Sequence, residues 1–144
     1  MGYRSEVKCI IYGSPEVLDS FIAKHTLQNN PFLSEMKENI SYGLIDRVKY
    51  DNNGNKHENK NKIMDFYGSH FKWYDEFEDV QGLNKMMDDI DENYEDTLDF
   101  EFVRVGEEHK DIETKCSVNA YGYIYPTTTI VTDVSIEDIP NEKD

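Results

Sequence analysis

Sixteen of the thirty acidic residues of this chain lie between Asp75 and Glu113, where Lys85, Arg104 and Lys110 alone oppose them. Nearly all of the net charge of −15 sits in that stretch, and residues 1–74 are close to neutral. Carboxylates are almost never fully buried unless paired, so such a stretch joins a core only by turning one face inward. The apolar residues obey that restriction. Phe77, Val80, Leu83, Met87 and Ile90 recur every three or four residues, with Met86 beside them and Tyr94 just beyond, which predicts a helix over 76–92. Its other face carries Asp79, Asp88, Asp89, Asp91 and Glu92. From Leu98 to Val105 the pattern alternates: Leu98, Phe100 and Phe102 fall on one side, Asp99, Glu101 and Val103 on the other. That is the period of a half-buried strand.

The first half of the chain reads as strand, helix, strand, strand. Val7–Tyr12 is a short β-rich run ended by Gly13, and Ser14-Pro15 supplies a helix start with Ser14 as N-cap and Pro15 at the first helical position. Val17, Leu18, Phe21 and Ile22 form one helical face, with His25 at its end read as capping or facing solvent. Asn30-Pro31 restarts a short helix, and Ile40–Tyr50 reads as a strand. Residues 51–62 are polar and Asn- and Lys-rich around the turn signal Asn53-Gly54, so a long hairpin tip made basic by Lys56, Lys60 and Lys62 is expected before the strand resumes over 63–73. After Val105 come a charged connection over 106–115, two β-prone runs over 117–125 and 127–134 broken at Pro126, and a frayed acidic tail over 137–144.

The expected fold is α+β: a single domain over 1–136, with an antiparallel sheet carrying two main helices on one face. The order suits a ferredoxin-like βαββαβ core with a C-terminal strand extension. A chain of 144 residues suits one domain. Its seven Phe, ten Tyr and one Trp, each able to bury about 150–250 Å², supply the core. Cys9 and Cys116 stand far apart and outside any CxxC pattern, as expected of two reduced thiols. The first apolar run is too short for a signal sequence or a membrane span, so a cytoplasmic protein is expected.

No catalytic or cofactor motif accompanies this pattern. An EF-hand register begun at Asp89 puts Tyr94 at the glycine position and Phe100 at that of the bidentate glutamate, so it fails. His25, His57, His70 and His109 share no ligand spacing, and neither a G-x-S-x-G turn nor a phosphate-cradling glycine loop is present. No metal, cofactor or catalytic residue is therefore assigned. Tyr121, Tyr123 and Tyr125 would line one strand face like stacking aromatics, but the basic signature of an RNA-recognition motif is missing. A tyrosine ladder on a chain this acidic fits sheet packing or a protein interface better.

Gly2-Tyr3-Arg4-Ser5, Lys72-Trp73-Tyr74, Phe102-Val103-Arg104-Val105-Gly106-Glu107-Glu108 and Asp111-Ile112-Glu113 resemble a group of small tailed-phage proteins of unassigned function. The resemblance implies a phage or mobile-element origin, where small acidic proteins often inhibit host or defence machinery. The functional expectation is a non-enzymatic module that binds a basic protein surface, in host cytoplasm if phage-encoded, with carboxylates standing in for phosphates. Glu78, Asp79, Asp88, Asp89, Asp91, Glu92, Glu95, Asp96, Asp99 and Glu101 are the expected contacts. Two alternatives stand beside it. One is a small enzyme or nucleotide-binding protein whose pocket is assembled from residues distant in sequence. The other is a homo-oligomer pairing the basic 51–62 segment with the acidic helix of another copy. Direct nucleic-acid binding is not expected, because neutralising phosphates takes lysines and arginines that this chain lacks in excess. In a gel-shift assay at physiological salt, the purified protein should retard neither duplex DNA nor single-stranded RNA; a salt-dependent shift would return the tyrosines to the role of a stacking platform.

Overall fold

Residues 3–108 and 110–126 are described by the computed structural model of the chain. Its centre is β1 (Ser5–Gly13), where Val7, Cys9 and Ile11 are fully buried on one side of the strand. There follow α1 (Pro15–Leu27), α2 (Pro31–Glu35), a 3-10 turn over Lys37–Asn39, β2 (Ile40–Tyr50), β3 (Lys56–Phe71), α3 (Glu78–Asn93), β4 (Leu98–Gly106) and β5 (Ile112–Cys116). The strands form one antiparallel sheet in the order β2-β3-β1-β4-β5. The chain is thus α+β, with the connection through α1 passing over β3 and that through α3 passing over β1.

All the helices pack against one face of the sheet. Val7, Cys9 and Ile11 of β1, Met64 and Phe66 of β3, and Leu98, Phe100 and Phe102 of β4 meet Leu18 and Phe21 of α1, Phe32 of α2, and Val80, Leu83, Met86, Met87 and Ile90 of α3. Trp73 closes one end of this core between Phe66 and Phe102, with ring centroids 6.0 Å from each. Val17 and Ile22 pack at its margin. Phe77, expected inside, is 38% exposed: it immediately precedes α3 and rests edge-on against Tyr74.

Four expectations need correcting. The hairpin tip is only residues 51–55, because β3 begins at Lys56 and its polar first half pairs with β2 from Leu44↔Lys62 to Tyr50↔Lys56. Asp51 closes that tip by accepting from the backbone N–H groups of Asn53 and Asn55, both at 2.9 Å. The fifth strand arises at 112–116, inside the presumed charged connection, and residues 117–125 form no strand. His25 neither caps α1 nor faces solvent; it is 1% exposed. The expected strand over 127–134 and the tail over 137–144 lie outside the described residues.

Asn30 joins α2 to α3. Its side-chain oxygen accepts from the Phe32 N–H at 2.9 Å, capping α2, while its Nδ2 donates to the Gly82 carbonyl at 3.0 Å. A Cβ on Gly82 would overlap the Asn30 oxygen and stand 2.8 Å from the Phe32 nitrogen. Gly→Ala inside an unconstrained helix is worth roughly 1 kcal/mol in favour of alanine. Here the overlap should reverse the sign. Gly82→Ala should destabilise the protein by about 1–3 kcal/mol in urea unfolding and speed hydrogen exchange at the Phe32 amide. A gain in stability would mean that the helices do not approach so closely.

Candidate functional site

The outer face of α3 is where the acidic stretch meets solvent. Glu78, Asp88, Asp91, Glu92, Glu95 and Asp96 are exposed, and none pairs with a cation among the described residues. The last turn of α3 holds Asp91 and Glu92 and no basic residue, so these carboxylates lie at the negative end of the helix dipole. The remaining expected contacts are occupied inside the fold. Asp79 accepts from the Val80 N–H at 2.7 Å, and Asp99 accepts from the Ser117 hydroxyl at 2.8 Å.

Asp89 lies on the flank of α3 turned toward α1. Lys24 Nζ is 2.6 Å and His25 Nε2 2.8 Å from its Oδ2, while Asn93 donates to Oδ1 at 2.7 Å. Burial alone would raise this carboxyl, but the hydrogen bonds from Lys24, Asn93 and His25 outweigh it and hold the group down at about 2. His25 answers oppositely: burial lowers it more than Asp89 raises it. The ring is then neutral, its Nε2–H donating to Asp89, with Nδ1 left as a buried lone pair without a partner. Asp89 is therefore a joint between helices. Sequence pattern missed this because Lys24 and His25 lie 64 or more positions away, and helical spacing says nothing about which face meets which neighbour.

Glu101 departs furthest from expectation. It is 3% exposed and sits on the sheet face away from the helices. Its carboxylate accepts from the Tyr12 hydroxyl at 2.6 Å and from the backbone N–H groups of Gly122 and Ile124, each at 3.0 Å. Tyr12 in turn accepts from the Tyr121 N–H at 2.9 Å, and burial followed by its bond to Glu101 raises its phenol well above the usual range. Residues 121–124 are thus strapped across the helix-free face. Tyr121 and Tyr123 pack around the Tyr12 ring at 5.8 and 5.2 Å, whereas Tyr125 is 72% exposed. The expected tyrosine ladder does not form; two of its members lock a crossing segment onto β1.

The segments that carry the phage-protein resemblance converge at the opposite end of the sheet. Tyr3 N–H donates to the Tyr74 hydroxyl at 2.8 Å, and its own hydroxyl accepts from the Glu108 N–H at 3.0 Å. Arg104 donates to Ser5, Asp111 and Glu113 over 2.8–3.2 Å. These hydrogen bonds engage four of Arg104's five N–H donors, so the cluster fastens the start of β1 to the β4–β5 hairpin. Cys9 is buried and Cys116 exposed, both as free thiols, and among the described residues no group of three His, Cys, Asp or Glu side chains is arranged to hold a metal ion.

The Asp89 joint makes a pH-dependent prediction. Both groups have folded values below their ordinary ones, 6.5 for His25 and 3.8 for Asp89. Each contributes stability that is complete above its ordinary value and is lost as pH falls through the folded value. Stability should decline below about pH 6.5 as the unfolded His25 takes up a proton, and again between 3.8 and about 2. Asp89→Asn should cost about 1–3 kcal/mol at pH 7 and remove the decline between pH 3.8 and about 2 in urea titrations, while the decline below 6.5 persists because His25 loses the carboxylate that raises it. An unchanged acid limb would remove Asp89 from this role.

No protein-family model matches the chain, and no curated protein matches it.

Proposed function

We propose that the outer face of α3 and the turn following it dock onto a basic surface of another protein, without catalysis. One observation carries this reading: among the described residues the ion pairs engage other carboxylates, and Lys85, the cation on α3, makes none of them. Lys8 pairs with Asp65, Lys24 with Asp89, Lys60 with Asp46, Lys62 with Asp19, Arg104 with Asp111 and Glu113, and Lys115 with Glu113. Glu78, Asp88, Asp91, Glu92, Glu95 and Asp96 are left as a field of unneutralised carboxylates. Such a field accelerates encounter with a basic partner and repels nucleic acid.

The phage-protein resemblance suggests the setting, a host cytoplasm in which the target is a nucleic-acid-handling enzyme or an anti-phage system. There the carboxylates occupy the places of phosphates. On the same reading the chain is one domain whose first four strands form a ferredoxin-like core. The crossing of β3 by the α1 connection and of β1 by the α3 connection supports this, with β5 as the added strand.

The test neutralises only exposed groups. A combined Asp88→Asn, Asp91→Asn, Glu92→Gln variant should keep its circular dichroism spectrum and melt no lower than the wild type, since crowding against the negative end of the α3 dipole is relieved. Association with a partner captured by the wild-type protein should slow about tenfold or more, with dissociation changing less. Wild-type association should itself slow as salt rises, because exposed charges are screened beyond about 8 Å at physiological ionic strength. A variant that associates at the wild-type rate would reduce the acidic face to a solvated surface.

A further inference from the structure

The two edges of the sheet differ. β5 is five residues long, whereas β2 runs eleven residues from Ile40 to Tyr50. All eleven pair with β3 in one unbroken register, from Ile40↔Phe66 to Tyr50↔Lys56, with neither bulge nor proline. Among the described residues no strand lies on the other side of β2. Folded proteins commonly protect an edge by keeping it short, bulged or proline-containing, because its open backbone groups invite another strand. β2 carries none of those three devices. Large apolar side chains are also in water along it. Tyr42, Leu44 and Tyr50 are 49%, 63% and 69% exposed, at alternate positions that share one face of the ribbon.

The backbone dictates how a further strand would pair. At the hairpin tip the Asp51 N–H donates to the Asn55 carbonyl at 2.9 Å, and at the other end the Ile40 N–H donates to Lys37 rather than to β3. Alternate residues of an antiparallel strand bond to the same neighbour, so Ser41, Gly43, Ile45, Arg47 and Lys49 turn their N–H and C=O groups toward β3. Tyr42, Leu44, Asp46, Val48 and Tyr50 turn theirs to the open edge. A second β2 related by a two-fold axis can therefore enter only in a register that sets one residue opposite itself. Centring on Ile45 pairs all eleven residues and opposes no two like charges: Asp46 meets Leu44, Arg47 meets Gly43 and Lys49 meets Ser41. Centring on Asp46 or Arg47 sets that residue against its own charge, which destabilises a cross-strand pair. Centring on Leu44 leaves Lys49 and Tyr50 beyond the partner strand.

We propose that two copies of this chain associate through their β2 edges, antiparallel about a two-fold axis at Ile45, joining two five-stranded sheets into one. In this register Tyr42 stands opposite Val48 and Tyr50 opposite Ile40, the aromatic-to-β-branched pairing that favours neighbouring strands. The exposed Tyr42, Leu44 and Tyr50 of both copies then line a single face across the seam. Such a contact uses the same edge on each copy, so it closes at the dimer. It shares no residue with the outer face of α3, and a dimer presents that face twice.

The test is sedimentation equilibrium of the full chain from micromolar to millimolar concentration, at low and high salt. The mass should rise from 16.9 kDa toward twice that value. The dimer should tighten as salt rises, because screening relieves the repulsion between two chains of net charge −15. Docking of the α3 face onto a basic partner responds to salt in the opposite sense, so failure of one is distinguishable from failure of the other. Leu44→Asp changes an exposed residue and sets a carboxylate opposite Asp46 twice across the seam. It should weaken the dimer about tenfold or more and keep the circular dichroism spectrum. Register is read by cross-linking in a Cys116→Ser background, which removes the exposed thiol. Ile45→Cys should form an intermolecular disulfide on mild oxidation, since residues facing each other in a non-hydrogen-bonded pair lie about 4.5 Å apart at Cα, within disulfide reach. Asp46→Cys should not, because its two copies stand diagonally across the axis, beyond that reach. The proposal is overturned if the chain stays monomeric at millimolar concentration in high salt, if Leu44→Asp dimerises like the wild type, or if Asp46→Cys cross-links as readily as Ile45→Cys.

Discussion

With fifteen cations set against thirty acids, the position of each lysine and arginine decides which carboxylates can enter the fold and which must stay outside. Lys24 ties α1 to α3 through Asp89, Lys62 ties β3 to α1 through Asp19, and Arg104 ties β4 to β5 through Asp111 and Glu113. Exposed ion pairs contribute only about 0–1 kcal/mol each, so these links orient elements whose stability comes from apolar burial between helices and sheet. Where no cation reaches, a carboxylate either stays in water, as along the outer face of α3, or finds uncharged donors. Glu101 takes the second course with one hydroxyl and two backbone N–H groups.

Local signals were read correctly where their cause is local. Ser14 precedes α1 and Pro15 opens it, Asn30 caps α2 before Pro31, and the strand expected over Ile40–Tyr50 has those bounds. The apolar face of α3 is buried as its spacing implies, save for Phe77 at its start. Failures arise where a partner distant in sequence sets the outcome. The first half of β3 is too polar to announce itself, and it is a strand because β2 pairs with it. Residues 117–125 carry strand-like tyrosine alternation, yet side chains of Tyr12 and Glu101 take three of their backbone N–H groups. Of the ten acidic residues expected at an interface, six are exposed and unpaired among the described residues; Glu101 and Asp89 are held by Tyr12, Lys24 and His25, which no spacing rule links to them. Asn61, expected in the hairpin tip, lies within β3 because Ile45 of β2 pairs with it.

The overrun of β3 past β1 shapes one end of the sheet. Past Lys62, β3 has only β2 beside it, so the two continue as a ribbon with Leu44 and Tyr50 exposed. The lysines that made this segment look basic are held: Lys60 by Asp46 and Lys62 by Asp19. Lys60 is thus neutralised on the ribbon and Lys62 by α1, while the shorter β1 leaves a space beside the two strands. One difference in strand length thus accounts for both features.

The central place of β1 also bears on how the chain reaches its structure. Gly13 lies opposite Lys62 and Leu98, and Ser5 opposite Phe71 and Gly106, so both neighbours of this strand come from about fifty to a hundred residues downstream. Loops of that length must close before any pairing along β1 is rewarded, and such non-local sheets fold slowly. During synthesis the most apolar strand would emerge first and wait longest, its backbone donors and acceptors unmet until β4 follows.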